Sequence, residues 1–237
     1  MEKITIYDNF LESLGREFDI LKELKAGLRG SVSVVRHKQS GSKYIFRHFA
    51  GNGDVYKKLL IVASPHLPQI MEAAEQDGKV IVLEEFVQGD TLDFILEGGL
   101  LTPAQAKKII LQLCSALHIL HSFGAVHRDI KPENIIICGG NAVLIDFDAS
   151  RIFKEESETD TQILGTTGFA APEQYGFSQS DPKADIYSLG ILLNVMLTGK
   201  HPSKELAKGR MGRIVQRCTM TNPKKRFKSV LHLMEML

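Results

Sequence analysis

The chain has 237 residues, of which 43% are apolar and 24% are charged. This composition predicts a globular protein with a sizeable core and excludes a disordered or fibrous one. Lys and Arg together number 29 and Asp and Glu 28, so the formal net charge is only +1. A nearly neutral chain has no overall field to recruit nucleic acid or an anionic membrane, so we expect neither as a partner.

The three cysteines, Cys114, Cys138 and Cys218, are far apart and form no CxxC pattern. An odd number without paired spacing argues against a disulfide framework or a zinc site. The first ten residues, MEKITIYDNF, resemble no targeting signal, and no apolar run approaches the roughly 20 residues of a membrane span. We therefore expect a cytoplasmic protein without a membrane segment.

The first part of the chain, up to about residue 90, reads as mostly sheet. Short β-branched or alternating runs with turn signals predict strands at FDILKEL, SVSVVRH, KYIFRHF and KVIVLEE, and QSGS around Gly41 predicts a hairpin. One segment, DVYKKLLIVA at residues 54–63, has the length and spacing of a helix that ends before Ser64-Pro65.

After residue 100 the pattern becomes helical. Thr102-Pro103 is a cap followed by a first-turn proline, and apolar residues then recur at helical spacing from Ile109 to Leu120. Asp181-Pro182 repeats the start signal, and Asn222-Pro223 separates the last two helical stretches. The predicted class is α+β, with an N-terminal extension at 1–17, a small β-rich lobe at 18–86 and a larger helical lobe at 87–237.

The segment HRDIKPEN at 127–134 interrupts two apolar stretches with charged and polar side chains. Asp129, Lys131 and Asn134 supply a carboxylate, an ammonium and an amide within six residues, and Asp146 follows twelve positions later. Such a set suits phosphoryl transfer from a metal-bound nucleotide, because it can orient a hydroxyl, hold Mg²⁺ and offset phosphoryl charge. The alternative for HRD alone is a solvated turn.

Several motifs in order resemble the protein kinase family, specifically the eukaryotic-like (Hanks-type) Ser/Thr kinases of bacteria, over residues 18–237. HRDIKPEN is followed by DFD at 146–148, at the DFG position, and by GTTGFAAPE at 165–173. Asp185 in KADIYSLG resembles the helix aspartate that braces the HRD backbone, and Arg226 resembles the arginine that pairs with the APE glutamate, here Glu173. The resemblance implies the bilobal protein-kinase-like fold.

The resemblance also implies ATP and Mg²⁺ as cofactors and a protein as the substrate partner. Asp129 would orient the substrate hydroxyl, Lys131 would neutralise the transferring phosphoryl group, and Asn134 with Asp146 would bind the metal. Thr166 resembles the threonine that contacts the catalytic Asp and Lys in members specific for Ser and Thr, so these acceptors are favoured over Tyr.

An arginine before the catalytic aspartate often grips a phosphate in this family. Arg128 occupies this position, and the candidate phosphorylation sites on the activation segment are Ser157, Thr159, Thr161 and Thr167.

Nine positions match nucleotide-contacting positions of the family: Lys25, Gly27, Gly30, Val32, Ile45, Arg47, Glu85, Val87 and Ile136. Three of them depart from the family pattern. Lys25 replaces the first glycine of the glycine-rich turn, Ile45 replaces an alanine, and Arg47 replaces the phosphate-binding lysine, a change that keeps the charge but not the shape.

The acid that pairs with this cation has no clean match either. Asp54 is the nearest candidate on the predicted helix, and Glu84 occupies a position that is usually apolar, where an unpaired carboxylate would be costly. We hypothesise that Arg47 lies between Asp54 and Glu84 and contacts one or both. Asp148 replaces the DFG glycine, a position that often needs conformational freedom.

Three functions remain open at this point. The first is an active Ser/Thr kinase; the second is a pseudokinase that binds nucleotide or acts as a scaffold; the third is a small-molecule phosphotransferase. The peptide-docking motif GTTGFAAPE, with Asp185 and Arg226, disfavours the third, whereas Lys25, Ile45 and Asp148 keep the second open.

Overall fold

The architecture comes from a computed structural model that describes residues 5–27, 30–152, 166, 168–175 and 181–237. Contacts divide the chain into two compact units. The first contains residues 1–64 and 68–87, and the second contains residues 65–67 and 88–237.

The first unit is built on a five-stranded antiparallel sheet. Its strands are β1 (Phe18–Gly27), β2 (Gly30–His37), β3 (Lys43–Ala50), β4 (Ile70–Gln76) and β5 (Lys79–Glu85), in the spatial order β1-β2-β3-β5-β4. The four strands predicted from the sequence are thus confirmed as β1, β2, β3 and β5, and the hairpin at Gly41 joins β2 to β3.

One face of this sheet is covered by helix α1 (Ile6–Glu17), which lies in the predicted N-terminal extension. The helix begins at a capping box in which Thr5 and Asp8 satisfy each other's backbone N–H groups. Tyr7 and Phe10 of the helix pack against apolar side chains that alternate along the strands: Val35, Phe46, Ala74, Ile81 and Leu83. Since side chains alternate across a strand, Arg47 lies on the opposite face.

Helix α2 (Asp54–Leu59) is shorter than the helix predicted over residues 54–63. The Val62 N–H donates to the Leu59 carbonyl at 3.0 Å, which closes the chain as a tight turn. Leu59 is buried whereas Ile61 is 94% exposed, so further helical turns would gain little packing. The β-branched pair Ile61-Val62 also has low helix propensity. The prediction was therefore wrong at the C-terminal end.

The second unit contains the longer helices. They are α3 (Leu92–Glu97), α4 (Pro103–Ser122), α5 (Pro182–Thr198), α6 (Gly209–Cys218) and α7 (Val230–Met236). The predicted starts at Thr102 and Asp181 are confirmed, because both side chains accept hydrogen bonds from backbone N–H groups of the first turn. Buried residues on both helices form much of the core of this unit.

Short strands in the second unit hold the loops that carry the polar motifs. They are β6 (Asp90–Thr91), β7 (Ala125–Val126), β8 (Ile135–Cys138), β9 (Asn141–Leu144) and β10 (Arg151–Ile152). One sheet has the order β6-β8-β9, and β7 pairs with β10. The predicted α+β class, with a β-rich first unit and a helical second unit, is confirmed. Within the described residues, no helix is long and apolar enough to cross a membrane.

Candidate active site

The segment HRDIKPEN, here called the HRD loop (residues 127–134), follows β7 and ends in a 3₁₀ turn at Pro132–Asn134. The side chain of Asp185, on α5, binds the backbone of the HRD loop. One carboxylate oxygen accepts from the His127 N–H at 2.9 Å and the other from the Arg128 N–H at 2.9 Å. His121 on α4 adds a third contact, with Nε2 2.8 Å from Oδ2.

Asp185 is fully buried. Burial by itself raises the pKa of the carboxyl, but the hydrogen bond and charge of His121, together with the backbone bond from the Arg128 N–H, bring the pKa below its ordinary value, which favours the ionised carboxylate. A buried carboxylate that accepts several N–H bonds is a rigid support for the loop above it. Arg128 adopts a left-handed backbone conformation with φ of 72° at this point.

The side chains of the HRD loop converge on Asp129. The Thr166 hydroxyl donates to Asp129 Oδ1 at 2.7 Å, and Lys131 Nζ lies 3.0 Å from Asp129 Oδ2. Lys131 Nζ also donates to the Thr166 oxygen at 2.8 Å, which closes a triangle of three polar groups. Burial raises the pKa of Asp129, but the bonds from Thr166 and Lys131 outweigh it and hold the pKa below the ordinary value. Asp129 is therefore a carboxylate at neutral pH.

Asn134 is oriented by the same aspartate. Its Nδ2 donates to the Asp129 carbonyl at 2.8 Å and to Asp129 Oδ2 at 2.9 Å, so its Oδ1 is presented as an acceptor. The Asn134 carbonyl accepts from the Ile145 N–H at 2.9 Å, and this bond brings Asp146 next to the HRD loop. Asp146 has a left-handed backbone with φ of 69°. An amide oxygen and a carboxylate at this point are hard oxygen donors of the kind that Mg²⁺ prefers.

His127, which is buried, contacts both the HRD loop and the segment that contains the DFD motif. Its ring packs edge-on against Phe147, with ring centroids 5.4 Å apart. Its Nδ1 accepts from the Asp129 N–H at 3.3 Å, and its Nε2 donates to the Ile145 carbonyl at 3.3 Å. Burial lowers the pKa of His127, an effect that the neighbouring aspartates only partly oppose, so the ring is neutral.

The APE segment is tied to the same framework by buried side chains. The Glu173 carboxylate accepts from both terminal nitrogens of Arg226, at 2.5 Å and 2.8 Å, which is the pairing that the sequence suggested. Gln174 is 1% exposed; its Nε2 donates to the Arg128 carbonyl at 2.8 Å and its Oε1 accepts from the Ala171 N–H at 2.9 Å. Gln174 thereby links the APE segment directly to the HRD loop.

Two of these supporting residues were missed by sequence reasoning. His121 and Gln174 are single polar residues, and neither stands at a spacing that separates it from other histidines or glutamines. Gln174 directly follows the APE glutamate, which was the one available signal. The proposed phosphorylation sites Ser157, Thr159, Thr161 and Thr167 lie outside the described residues.

The predicted nucleotide-contacting residues of the first unit form a row across the sheet. Lys25 pairs with Val32, Val32 with Arg47, and Arg47 with Val82, so these side chains share one face. Ile45, two residues from Arg47, lies on the same face. Glu85, at the end of β5, pairs with Tyr44 and accepts from the Gln69 N–H at 3.0 Å.

The glycines of this region differ in what the backbone requires. Gly30 has φ of 144°, and a Cβ there would lie 2.2 Å from the His48 carbonyl oxygen. At Gly27, no atom of the described residues lies within 4 Å of where a Cβ would be. Val87 follows β5 in the first unit, whereas Ile136 lies on β8 in the second.

The hypothesis about Arg47 is confirmed for Glu84 and wrong for Asp54. Arg47 Nε lies 2.7 Å from Glu84 Oε1, and both side chains are at most 5% exposed. Asp54 instead accepts from the Asn52 side chain at 3.0 Å and lies 3.9 Å from Lys57 Nζ. The Asp54 carboxylate therefore contacts residues of its own turn at the start of α2.

The concern about Asp148 was also misplaced. Among the described non-glycine residues, positive φ occurs at Asp77, Arg128 and Asp146. The backbone freedom in the DFD motif is thus taken up by its first residue, and Asp148 does not need the conformation that glycine favours.

The second unit thus brings the Asp129 carboxylate next to the Lys131 ammonium and the Thr166 hydroxyl. Asn134 and Asp146 supply oxygen atoms that could bind a cation. Such a site can orient a hydroxyl and receive a metal-bound phosphate. The family model of the protein kinase domain matches residues 18–235, so the chain belongs to the protein kinase family.

Curated relatives agree with this assignment. The Serine/threonine-protein kinase pkn2 of Myxococcus xanthus is 29% identical over 208 residues, which are 80% of this chain and 25% of that protein. PknH and PknB of Mycobacterium tuberculosis, also named Ser/Thr kinases, are each 38% identical, over 141 and 126 residues. These matches cover 58% and 51% of this chain but 22% and 20% of those proteins. The chain therefore spans about a quarter or less of the relatives that it matches, and the predicted resemblance to bacterial Ser/Thr kinases is confirmed.

Proposed function

We propose that this chain is the catalytic domain of a Ser/Thr protein kinase that transfers the γ-phosphoryl group of Mg-ATP to protein hydroxyl groups. The observation that carries the proposal is the triangle of Asp129, Lys131 and Thr166, with contacts of 2.7 to 3.0 Å. It supplies an acceptor for a hydroxyl hydrogen and a cation beside it, which are the groups that phosphoryl transfer requires.

Asp129 would accept the hydrogen bond of the attacking hydroxyl. Because its pKa is held below the ordinary value, the carboxylate is available throughout the neutral range. Phosphoryl transfer passes through a loose transition state, so the chief task of such a carboxylate is to align the hydroxyl with the phosphorus. Lys131 would neutralise charge on the moving phosphoryl oxygens, and Thr166 would fix both side chains in their relative positions.

The residues present fit a magnesium ion. Asn134 presents Oδ1 because its Nδ2 is committed to Asp129, and the bond from the Ile145 N–H to the Asn134 carbonyl ties the residue before Asp146 to the HRD loop. Mg²⁺ is commonly bound by one or two side chains together with substrate phosphates, so a pair of protein oxygens is sufficient. When bound, the ion would offset negative charge on the ATP phosphates.

ATP would contact the row of side chains on the sheet of the first unit. Arg47 would be the phosphate ligand, Val32 and Ile45 would pack against the base, and Lys25, Gly27 and Gly30 would lie near the phosphates. Glu85 and Val87 complete the predicted set in the first unit. An arginine can bind phosphate through two parallel N–H bonds, so replacement of the usual lysine preserves the function with different geometry.

The test is phosphate transfer by the purified chain and by Asp129→Asn. The wild-type chain should transfer labelled phosphate from Mg-ATP to Ser and Thr residues of a generic basic protein. Asp129→Asn should lower the rate at least about a hundredfold, because alignment of the hydroxyl is lost. Asp181→Asn, a surface cap on α5, is the matched control and should retain full activity, since Asn caps as well as Asp.

Both variants should bind nucleotide, measured as the rise in melting temperature with Mg-ATP. Equal transfer rates for the wild-type chain and Asp129→Asn would show that the HRD loop is structural only. Phosphorylated tyrosine as the main product would contradict the proposed acceptor class.

A further inference from the structure

The last part of the chain carries a charge that the whole sequence conceals. The formal net charge is +1, but residues 199–237 contain ten Lys and Arg residues and only two Asp and Glu residues, so this segment has a net charge of +8. Residues 88–198, which contain the HRD loop, have a net charge of −7, and residues 1–87 have none. Because physiological salt screens exposed charges beyond about 8 Å, a partner meets the local charge and not the total.

Most of these cations lie on the surface of helix α6 and of the 3₁₀ turn at Pro223–Lys225. The helix buries Ile214 and Val215 on one side, whereas its three arginines recur at spacings of three and four and are exposed on the other side. The exposed cations are called the basic face and comprise Lys208, Arg210, Arg213, Arg217, Lys224, Lys225 and Lys228.

The basic face has a fixed place in the second unit. The guanidinium carbon of Arg217 lies 4.8 Å from the centroid of the Phe227 ring, which joins α6 to the residues that follow the turn. Arg226, between Lys225 and Phe227, is buried and binds both carboxylate oxygens of Glu173. The turn that carries part of the basic face is therefore attached directly to the APE segment.

The stability of the fold does not account for these cations. Among the described residues, the ion pairs of residues 199–237 are Lys200–Glu205 and Arg226–Glu173, and neither includes the basic face. Lys208 is the N-cap of α6, and no acidic residue occupies the first turn, although the helix dipole disfavours cations there. The arginines also repel one another at spacings of three and four. Charges that weaken the helix are explained by a partner of opposite charge.

We propose that the basic face docks an acidic segment of the protein substrate, at a place separate from the acceptor hydroxyl. This inference rests on the proposed function, in which a protein is held while its hydroxyl reaches Asp129. Arginine pairs with a carboxylate through two parallel N–H bonds, so the three arginines of α6 suit Asp and Glu side chains. Since residues 88–198 are net negative, the acidic segment would lie at a distance from the acceptor in the substrate sequence.

The surroundings of the basic face favour a protein segment over a membrane or a nucleic acid. The apolar side of α6 is buried against α5, where a Cβ at Gly190 would collide with Cys218, so α6 cannot lay that side into a lipid surface. In residues 199–237, all of which the structure describes, Phe227 is the one Phe, Tyr or Trp residue. Phe227 is 1% exposed and is not available to stack on bases.

The first measurement is direct binding, which does not depend on catalysis. A labelled peptide of Asp, Glu and Gly, without hydroxyl residues, is titrated with the purified chain and followed by fluorescence anisotropy. The matched peptide replaces Asp and Glu by Asn and Gln. We expect the chain to bind the acidic peptide and not the amide peptide, and we expect the binding to weaken as salt is raised, because the contacts are exposed ion pairs.

Two variants with the same change in net charge locate the binding site. The test variant neutralises exposed cations whose side chains make no contact with other described residues: Arg213→Gln, Lys225→Gln and Lys228→Gln. The control neutralises three exposed cations outside residues 199–237: Lys22→Gln, Lys79→Gln and Lys108→Gln. The test variant should bind the acidic peptide about tenfold more weakly and the control within about twofold of wild type, since each exposed ion pair contributes little by itself. Unchanged melting temperatures would show that both variants are folded.

The second measurement connects binding to phosphate transfer. Two substrates share one Ser-containing acceptor sequence and one flexible linker, and they end in the acidic or the amide segment. For the wild-type chain, KM should be about tenfold lower with the acidic segment while kcat stays within about twofold, because docking adds affinity without changing the chemical step. The test variant should lose most of this difference in KM and keep its kcat.

Four results would overturn the inference. They are equal binding of the two peptides, equal weakening by the two variants, equal KM values for the two substrates, and tighter binding to another polyanion than to the acidic peptide. The other polyanions tested are vesicles of phosphatidylcholine and phosphatidylserine and a single-stranded oligoadenylate. A chain that binds the acidic peptide through the basic face but transfers no phosphate would overturn the proposed function and still support the docking surface, so the two failures are distinguishable.

Discussion

The HRD loop and the Arg47 site each depend on a buried carboxylate, but the two carboxylates do different work. In the second unit, Asp185 accepts from backbone N–H groups and a histidine, so it fixes the path of the chain. In the first unit, Glu84 contacts the side chain of Arg47, so it fixes one functional group. Replacement of Asp185 would therefore disturb the path of the whole loop, whereas replacement of Glu84 would disturb the side chain of Arg47.

This difference explains which parts of the family pattern the chain retains. Around Asp185 the motifs are intact, because each polar group meets several partners at once. Around Arg47 the sequence predicts departures from the family pattern at Ile45, Arg47 and the helix acid, and the structure pairs Arg47 with Glu84 at 2.7 Å.

The comparison predicts the largest effect at Asp185. Asp185→Ala would leave the His127 and Arg128 N–H groups and His121 without their common acceptor in a fully buried place. We expect a loss of about 3–5 kcal/mol in the free energy of unfolding, measured by urea denaturation. Asp181→Ala, at the cap of the same helix, should cost about 1 kcal/mol. Equal losses for the two variants would refute the special role of Asp185.

We expect a smaller loss of unfolding free energy at Glu173, because its carboxylate binds the side chain of Arg226 and not the backbone of a loop. Glu173→Gln would remove a two-fold contact with Arg226, a residue that is 2% exposed, and should cost about 2–3 kcal/mol of unfolding free energy. The control is Glu205→Gln, which breaks the exposed pair with Lys200 and should cause no measurable change. A Glu173→Gln variant as stable as wild type would mean that the pair adds nothing to the fold.

Substitutions at Gly27 and Gly30 can distinguish a glycine that the fold requires from one that contacts the nucleotide. Gly30→Ala would push a methyl group against the His48 carbonyl at a backbone conformation that alanine avoids, and should cost about 1–3 kcal/mol of unfolding free energy. Gly27→Ala meets no atom of the described residues within 4 Å and should cost less than about 1 kcal/mol. If Gly27→Ala nevertheless weakens Mg-ATP binding in a thermal-shift assay, its role is contact with the nucleotide; an unfolded Gly27→Ala would contradict the assignment.

Local patterns were sufficient to predict the HRD loop, because Asp129, Lys131 and Asn134 lie within six residues of one another. The same holds for α4 and α5, whose caps are explicit. Helix α1 also begins with a capping pair, Thr5 and Asp8. Because the helix lies before the kinase motifs, the sequence analysis assigned its residues to an N-terminal extension.

Other features depend on register or on distance in sequence. Strand β4, with the sequence IMEAAEQ, contains Ala and Glu residues of low strand propensity and a bulge after Ile70, so its pattern does not alternate. The sequence left Asp54 and Glu84 equally open as partners of Arg47, because the choice is made by the pairing of β3 with β5. Gln174 reaches Arg128 across 46 positions, a separation that no local pattern reports.

The smallest predicted effect is a pH dependence that arises from His127, which belongs to both motifs of the second unit. Its Nδ1 accepts from the Asp129 N–H, and protonation would place a second hydrogen at that nitrogen. Burial accordingly lowers the pKa of His127 below its ordinary value of 6.5. In the unfolded chain the ring takes up a proton near that ordinary value, so below it the unfolded state binds more protons and stability falls as the pH falls.

The unfolding free energy of the wild-type chain should therefore decrease from pH 7.5 towards pH 5.5 with a contribution from His127, measured by urea denaturation at each pH. His127→Gln can still accept from Asp129 and donate to Ile145 but does not titrate, so its stability should be lower at pH 7.5 and decline less steeply. The other seven histidines are present in both proteins, so we assign the difference between the two curves to His127. Parallel curves would mean that His127 takes up its proton in the folded state as readily as in the unfolded one, and that the neutral ring is not what holds the Asp129 backbone.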